Sequence, residues 1–163
     1  MKLKTTEYTG PIGTGNYTIE CWVYLSARSG TGARYIFALQ DGHSTSSGNG
    51  IQVYYRNNSS NYAWAHFTKN SQNNTSTKSR LNTWQHIALT RDGTTTRLFV
   101  DGYLIDTKTS DNHDNTSFDD ITVGGSGYGN SFLGYISDFR IINGTALYTA
   151  TFIPPTTPHD PTV

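Results

Sequence analysis

The sequence predicts an all-β fold, a two-sheet antiparallel β-sandwich of the jelly-roll kind. Two Asp-Gly pairs, Asp92-Gly93 and Asp101-Gly102, separate three alternating segments between Trp84 and Thr107. Asp-Gly between alternating apolar runs is a strong signal for a tight β-turn, so this stretch predicts a three-stranded meander. Elsewhere the chain carries short alternating segments bounded by polar turns, roughly ten in all, as sandwiches do. Glutamate occurs only twice, and no window has the period of a long helix.

The individual strands follow from the same period-2 alternation of apolar and polar residues. In chain order they are predicted at 3–9, 17–25, 35–39, 51–56, 62–68, three within 84–109, 121–123 and 132–142. The Asn-, Ser- and Thr-rich stretch 69–80 is predicted to be an exposed loop with at most a short strand near its end. Residues 1–153 are predicted to form one domain and 154–163 a proline-rich C-terminal tail or linker.

Composition excludes several classes of partner. The 163 residues carry 12 Lys and Arg against 12 Asp and Glu, and the basic residues are scattered singly. A nucleic-acid or anionic-membrane partner is therefore not expected. No signal-peptide pattern opens the chain and no apolar run approaches membrane-spanning length, so membrane insertion is not expected either. The lone cysteine, Cys21, lies in an apolar strand and is predicted to be a buried core residue.

Four segments in order resemble the concanavalin A-like lectin/glucanase superfamily, and within it the laminin-G-like, pentraxin-related branch. They are YTIECWVYL, LNTWQHIALTRDG, RLFVDGYLID and FLGYISDFRIINGTALYTATFIPPTTP. The last segment is similar to modules of tailed-phage and other virus structural proteins. The resemblance implies a laminin-G-like jelly roll over about residues 16–156. The start, MKLKTTEYTGPIG, departs from the first strand of the family.

Enzymes of this superfamily are glycoside hydrolases with closely spaced carboxylates on one strand, a spacing that retaining hydrolysis requires. The sequence has no such cluster. Glu20 stands alone between Thr18 and Trp22 on its face, and the adjacent Asp119 and Asp120 face opposite ways on a strand. The five histidines do not cluster either, and His86 is interpreted as a structural histidine. The protein is therefore predicted not to be an enzyme.

Calcium is the one cofactor that the resemblance implies, because related modules hold it on loop carboxylates. Calcium prefers several oxygen ligands from Asp, Asn and backbone carbonyls. Two polar loops offer such ligands, and the alternative is that these loops are simply solvated. The predicted calcium ligands are Asp41, Asn49, Asp111 and Asp114, with Asn115 beside them.

The best candidate binding surface comes from two neighbouring strands, 51–56 and 62–67. If the small and aliphatic residues of both strands face the core, the alternate residues line one open face. Aromatic rings among amide, guanidinium and imidazole groups suit sugars, whose apolar faces stack while their hydroxyls form hydrogen bonds. The predicted glycan-binding residues are Gln52, Tyr54, Arg56, Tyr62, Trp64 and His66. The alternative is a face covered by a loop or by a neighbouring subunit. The meander residues Trp84, Ile87, Leu89, Leu98 and Val100 are interpreted as scaffold.

Together these features predict a non-enzymatic carbohydrate-binding or adhesion module. The resemblance places it in a virion, as a tail fibre, spike or capsid decoration that recognises host-surface glycans, or otherwise in an extracellular setting. Its expected partners are glycans and other virion proteins, with a homo-oligomer as an open alternative. The rival interpretation is a purely structural virion protein that makes subunit contacts without binding glycan. A glycoside hydrolase is the third.

Overall fold

The chain is an antiparallel β-sandwich, as predicted. The computed structural model describes residues 12–28, 32–40, 50–58, 61–68, 71–114, 120–125 and 130–157. These residues form ten strands in two five-stranded sheets. Within this part of the chain, no helix is long and apolar enough to cross a membrane. The predicted strand at 3–9 lies outside the described residues.

The first sheet, here called sheet 1, has the first and last strands of the described chain side by side at one edge. Its strands are β1 (Tyr17–Leu25), β6 (Trp84–Asp92), β7 (Thr95–Val100), β8 (Tyr103–Lys108) and β10 (Gly134–Asn143). Their spatial order is β10-β1-β6-β7-β8. The predicted meander is confirmed as β6, β7 and β8. At its second turn Asp101 and Gly102 both have positive φ, 51° and 79°, which is the requirement of a type I′ hairpin turn.

The second sheet, sheet 2, is a run of sequential hairpins closed by one distant strand. Its strands are β2 (Gly32–Gln40), β3 (Gly50–Asn58), β4 (Asn61–Thr68), β5 (Ser71–Lys78) and β9 (Asp120–Val123). Their spatial order is β5-β4-β3-β2-β9. The prediction of a loop at 69–80 is wrong for β5, which pairs with β4 as an edge strand of Ser, Gln, Asn and Thr. Polar residues at an edge discourage pairing with a further chain, so a low-propensity sequence is tolerated there.

The core lies between the sheets and is built from alternate residues of nearly every strand. β1 contributes its odd-numbered residues Tyr17 to Leu25, and the predicted buried position of Cys21 is confirmed at 0% exposure. The meander contributes Ile87, Leu89 and Leu98, all fully buried. Each such aliphatic side chain stabilises the fold by about 2 kcal/mol when fully removed from water.

A C-terminal strap, residues 145–157, covers much of the outer face of sheet 1. Thr18 Oγ1 donates to the carbonyl of Thr145 at 2.9 Å and accepts from the amide of Leu147 at 2.9 Å. Thr90 Oγ1 donates to the carbonyl of Tyr148 at 2.8 Å. Thr18 and Thr90 are both fully buried as a result. The strap thus gives β1 and β6 a second covered face where the strand sequence alone shows polar residues.

Two aromatic side chains hold the strap down. The rings of Tyr148 and Phe152 stack with centroids 3.5 Å apart, and Phe152 also meets Phe99 and His86 edge-on at 5.4 and 5.7 Å. Beside them the amide of Phe152 donates to the carbonyl of Gly102 at 3.0 Å. A Cβ on Gly102 would lie 2.0 Å from the carbonyl oxygen of Phe152, so only glycine allows this approach.

A buried polar cluster fixes the segment after β8. Asp111 is 2% exposed and accepts from Thr96 Oγ1 at 2.7 Å, while its other oxygen meets His113 Nδ1 at 2.6 Å and Lys108 Nζ at 3.2 Å. The buried Arg91 guanidinium donates to the carbonyls of Asp111 and His113, both at 3.0 Å. Burial would raise the pKa of Asp111, but the hydrogen bonds from His113 and Thr96 and the charges of His113 and Lys108 outweigh it and lower the pKa.

Sheet 2 is tied to this region by two polar contacts across the sandwich. Lys108 Nζ donates to the carbonyl and hydroxyl oxygens of Thr68 at 2.8 and 2.7 Å. The fully buried His66 contacts the Asp106 carboxylate at 2.7 Å. At this end of the sandwich, paired polar groups therefore replace the aliphatic packing found elsewhere.

Substitution of Gly102 tests the strap contact, and Gly93 is its matched control. Gly93→Ala introduces only backbone strain, because Gly93 also has positive φ (58°) but no atom lies within 4 Å of its added Cβ. We expect Gly93→Ala to cost about 1 kcal/mol and Gly102→Ala about 2 kcal/mol more, since the new methyl collides with the strap. Urea unfolding of both variants measures the difference. Equal losses would contradict the strap contact.

Removal of the Asp111 charge tests the buried cluster. We expect Asp111→Asn to lower the free energy of unfolding at pH 7 by about 3 kcal/mol, because Lys108 and His113 lose their carboxylate. A carboxyl whose pKa is lowered by folding stabilises above its unfolded pKa and loses that effect below it. The gap between wild type and variant should therefore shrink as the pH falls below about 4.

Denaturant unfolding between pH 7 and pH 3 measures that gap, with Asn112→Ala as the control in the same segment. Asn112 is exposed, and the control is expected to change stability by less than about 0.5 kcal/mol, as exposed substitutions usually do. A gap that stays constant with pH would contradict the interpretation. A wild-type stability that rises on addition of calcium, with no such rise in Asp111→Asn, would also contradict it.

Candidate functional site

The predicted glycan face is divided between the two sides of sheet 2. The register pairs Tyr55 with Trp64 and Val53 with His66, and directly paired residues share a face. Trp64 and His66 therefore point into the core, where both are 0% exposed, and Tyr62 packs against the same core. The prediction that all six residues line one open face is wrong. The prediction assumed that Ala63 and Ala65 of β4 face the core, whereas Tyr62, Trp64 and His66 do.

The β3 half of the predicted set does lie on the outer face of sheet 2. Gln52 and Tyr54 are nevertheless only 6% and 3% exposed, and the Tyr54 ring packs against Tyr35 at 5.1 Å. Arg56 is half-buried and donates to Gln72 Oε1 at 2.6 Å, and Gln72 in turn donates to Asn74. Among the side chains described on this face, the accessible ones named here, Arg56, Gln72 and Asn74, thus bind one another.

The predicted calcium ligands are not brought together in the described residues. Both carboxylate oxygens of Asp111 are engaged by Thr96, His113 and Lys108, and a lysine ammonium stands where a cation would bind. Asp114 is exposed three residues later. No group of three or more His, Cys, Asp or Glu side chains is placed to share one ion in the part of the chain described. Asp41, Asn49 and Asn115 lie outside the described residues, so calcium at those positions stays a prediction.

Glu20 is the strand carboxylate most comparable with those of glycoside hydrolases, and ion pairs and a hydrogen bond hold its side chain in a fixed position. It is fully buried beneath the strap, paired with Arg140 at 2.5 Å and with His86 Nε2 at 3.1 Å, and it accepts from the Tyr148 hydroxyl at 2.9 Å. Burial would raise the Glu20 pKa, but His86, Arg140 and Tyr148 outweigh it and hold the pKa below its usual value. A carboxylate kept ionised and covered is unsuited to act as a general acid.

An open pocket of about 270 Å³ lies on the outer face of sheet 1, beside the C-terminal residues of the strap. We call it the aromatic pocket. It is lined by Trp22, Trp84, Ser137, Asp138, Pro155, Thr156 and Thr157. Trp84 is 43% exposed and Trp22 is half-buried. Large exposed aromatic surface beside hydroxyl and carboxylate groups is the usual composition of a small-ligand site.

The aromatic surface continues past the pocket across three strands. Trp84, Tyr24 and Tyr135 are direct cross-strand neighbours on β6, β1 and β10. Their ring centroids are 5.6 and 5.9 Å apart, and Tyr135 is 66% exposed. In the next row Trp22 lies against the ring of His86 at 5.2 Å. The rings form a continuous platform at the uncovered end of sheet 1.

A β-bulge supplies the pocket's carboxylate. The pairing of β1 with β10 shifts between Glu20 and Trp22, whose partners are Arg140 and Ser137. The extra residue on β10 allows Ser137 and Asp138 both to line the pocket while the following Phe139 turns to the core. Asp138 accordingly has a left-handed backbone, with φ of 51°. Bulges often re-aim a side chain at a functional site, and Asp tolerates this conformation better than most residues.

The pocket was missed in the sequence because its residues come from three separate strands and the strap. One signal was available: Trp84 has the even parity of His86, whereas the meander's core residues Ile87 and Leu89 are odd. Parity alone places Trp84 on the outer face, where it is 43% exposed, so it does not share the core position of the other four residues interpreted as scaffold. The other four scaffold residues are buried as predicted. The predicted tail also contributes, since Pro155 to Thr157 form one wall of the pocket.

Solved structures with the same fold include parts of carbohydrate-active proteins. A leech intramolecular trans-sialidase matches with a TM-score of 0.71 at 18% identity, over 91% of this chain but only 24% of that one. The CBM40 of a Ruminococcus gnavus IT-sialidase matches with 0.67 at 16% identity, over 84% and 80%. A heptameric SAP-like pentraxin from Limulus polyphemus matches with 0.62 at 16% identity, over 86% and 70%. At these identities the likeness shows the fold.

The family is shown by the sequence itself. No curated protein matches the chain. A family model, Laminin_G_3, does match, and it covers residues 2–149, which include the first strand, the Asp-Gly meander and the last strand. That is most of the chain, and it confirms the resemblance carried by the four ordered segments. The chain therefore belongs to the concanavalin A-like lectin/glucanases superfamily.

Proposed function

We propose that this chain is a non-catalytic glycan-binding module whose ligand binds in the aromatic pocket. The observation that carries the proposal is the exposed indole of Trp84, set beside Trp22 at the mouth of a pocket that also holds Ser137 and Asp138. An exposed tryptophan in a soluble protein loses contact with water favourably when a flat apolar surface covers it. The apolar face of a pyranose ring is such a surface.

The polar side of the pocket matches the other half of a sugar. The Ser137 hydroxyl oxygen can accept from a sugar while its proton is donated to Asp138, and the Asp138 carboxylate accepts from hydroxyls. Thr156 and Thr157 also line the pocket. A sugar ring in it would therefore have indole surface for stacking and several side chains for hydrogen bonds. The neighbouring Tyr24 and Tyr135 extend the stacking surface beyond one ring.

The non-catalytic part of the proposal rests on the carboxylates. In the described part of the chain, the pocket is lined by the single carboxylate Asp138, whereas glycoside hydrolysis uses a pair flanking the scissile bond. Glu20, on the same face, is covered by the strap. Solved neighbours of this fold give support of the same kind: the R. gnavus CBM40 has been solved with α2,3-sialyllactose, and a putative carbohydrate-binding protein from Bacteroides ovatus shares the fold.

The pocket is tested by Trp84→Ala. We expect glycan affinity to fall about thirty-fold, because a central tryptophan contributes about 2 kcal/mol or more to binding. Binding is measured first on a glycan array and then by calorimetry with the strongest ligand. Trp84→Phe keeps an aromatic ring and should retain an intermediate affinity. Catalysis is assayed in parallel as release of reducing sugar, and none is expected.

Tyr103→Ala is the matched control. Tyr103 is also an exposed aromatic residue of sheet 1, 67% accessible, but it lies on β8, outside the pocket. Its removal should leave glycan affinity within about two-fold. An equal loss in both variants would show that exposed rings act nonspecifically. Unchanged binding in Trp84→Ala would exclude the aromatic pocket.

The finer part of the proposal is that the module acts as an adhesion unit of a virus or phage particle. Its support is the similarity of the segment from Phe132 to the Pro154-Pro155 ending to modules of tailed-phage structural proteins. Immunogold labelling of purified particles with an antibody to the chain tests it. Label on the particle surface supports the proposal, and label confined to unassembled material opposes it.

A second function, subunit contact without glycan binding, is favoured by one further surface. Ile153 is 90% exposed and Tyr103 is 67% exposed, and they directly follow the touching pair Phe152 and Gly102. Isolated exposed apolar residues are common, but two at one contact suit a protein interface. Sedimentation of wild type and Ile153→Ser separates the functions. An oligomer lost in Ile153→Ser, with no glycan signal on the array, would favour the structural role.

A further inference from the structure

We infer that the aromatic pocket selects uncharged glycans and discriminates against sugars that carry a carboxylate, such as sialic or uronic acids. The inference rests on the proposed function, because it concerns the ligand of the same pocket. It is carried by the charge that the β10 bulge places there. It departs from the ligand of the R. gnavus CBM40, which has been solved with a sialylated sugar.

The first step is the charge of the lining. Among the seven described residues around the pocket, Asp138 is the charged one, and the other six are two tryptophans, a serine, a proline and two threonines. A carboxylate accepts hydrogen bonds from sugar hydroxyls but repels a second carboxylate. The described lining includes no arginine, lysine or histidine that would bind an acidic sugar.

The second step concerns Arg140, a cationic residue on the same strand as Asp138. Arg140 follows Asp138 by two residues, and its side chain is 27% exposed. Its Nε and Nη2 both contact Glu20 Oε1, at distances of 2.6 and 2.5 Å. The positive charge is thus balanced by a fully buried carboxylate directly beneath the strap. An acidic ligand that recruited Arg140 would break its ion pair with the buried Glu20, which is costly.

The third step is that the carboxylate is placed by the backbone. Strict alternation after Ser137 would turn residue 138 towards the core, where an ionised group is excluded. The bulge adds one residue to β10, so Asp138 stays at the pocket and Phe139 packs against Phe37 in the core at 5.8 Å. Ser137 Oγ donates to Asp138 Oδ2 at 3.3 Å and helps to fix it. The negative charge is therefore a built part of the pocket.

The test begins with an array that carries neutral and acidic oligosaccharides, probed with wild type and with Trp84→Ala. The strongest Trp84-dependent ligand is then compared with its analogue in which one hydroxymethyl group is oxidised to a carboxylate. We expect the acidic analogue to bind about five-fold more weakly or worse, the ratio that corresponds to about 1 kcal/mol of repulsion about 4 Å away in a water-like medium. In Asp138→Asn the ratio of the affinities for the neutral ligand and its acidic analogue should fall to about two-fold or less.

Asp92→Asn is the control, because it removes the same charge at the far end of β6 from Trp84. It should leave the ratio unchanged. An acidic sugar that binds through Trp84 as tightly as a neutral one, or a ratio unaltered by Asp138→Asn, would overturn the inference and leave the proposed function standing. Absence of any Trp84-dependent glycan would overturn the proposed function, and the inference with it.

Discussion

The packing of Phe152 against Phe99 and His86 is the contact on which the outer face of sheet 1 depends. It anchors the strap, and the strap in turn buries Thr18, Glu20 and Thr90, so that sheet 1 carries a second, polar-lined interior on its outer side. The same contact sets where that interior stops. The strap passes Phe152 and runs along one side of Trp22 and Trp84 without covering them. The pocket is the remainder of the sheet face that the strap leaves open.

Polar groups are distributed according to whether they find partners. Glu20 is matched by Arg140, His86 and Tyr148, and Asp111 by Thr96, His113 and Lys108, so both carboxylates are stable in buried positions. Asp138 is the carboxylate placed at the pocket. Glu20 and Asp111 therefore serve the packing of the fold, whereas Asp138 is half-buried and lies at a pocket. That contrast explains why Glu20, the acidic residue with the most conspicuous strand position, is not the one that lines the pocket.

The sequence is sufficient to predict what depends on neighbouring residues along the chain. The Asp-Gly turns defined β6 to β8, and the alternation of Tyr17 to Leu25 defined β1 and its core face. What depends on pairing between strands was not accessible. The faces of β4 follow from its register with β3, and a shift of one residue exchanges them, so Trp64 was assigned to the wrong side. The strand β5 has little intrinsic β-propensity and forms because β4 offers it an edge. The pocket joins three strands and the strap, which no local pattern reveals.

The bulge at Asp138 has a consequence for how such a module can diversify. On a regular strand the side chains alternate strictly between the two faces, so each position is tied to the packing on its face. Position 138 lies outside this alternation, because it is the extra residue of β10 and the next residue, Phe139, packs in the core. The left-handed backbone of position 138, with φ of 51°, favours Asp, Asn and Gly, so the charge there can be removed while the hydrogen-bond ladder on either side stays as it is. Within the same scaffold, a change from Asp to Asn or Gly at this one position therefore alters the charge of the pocket without altering the fold.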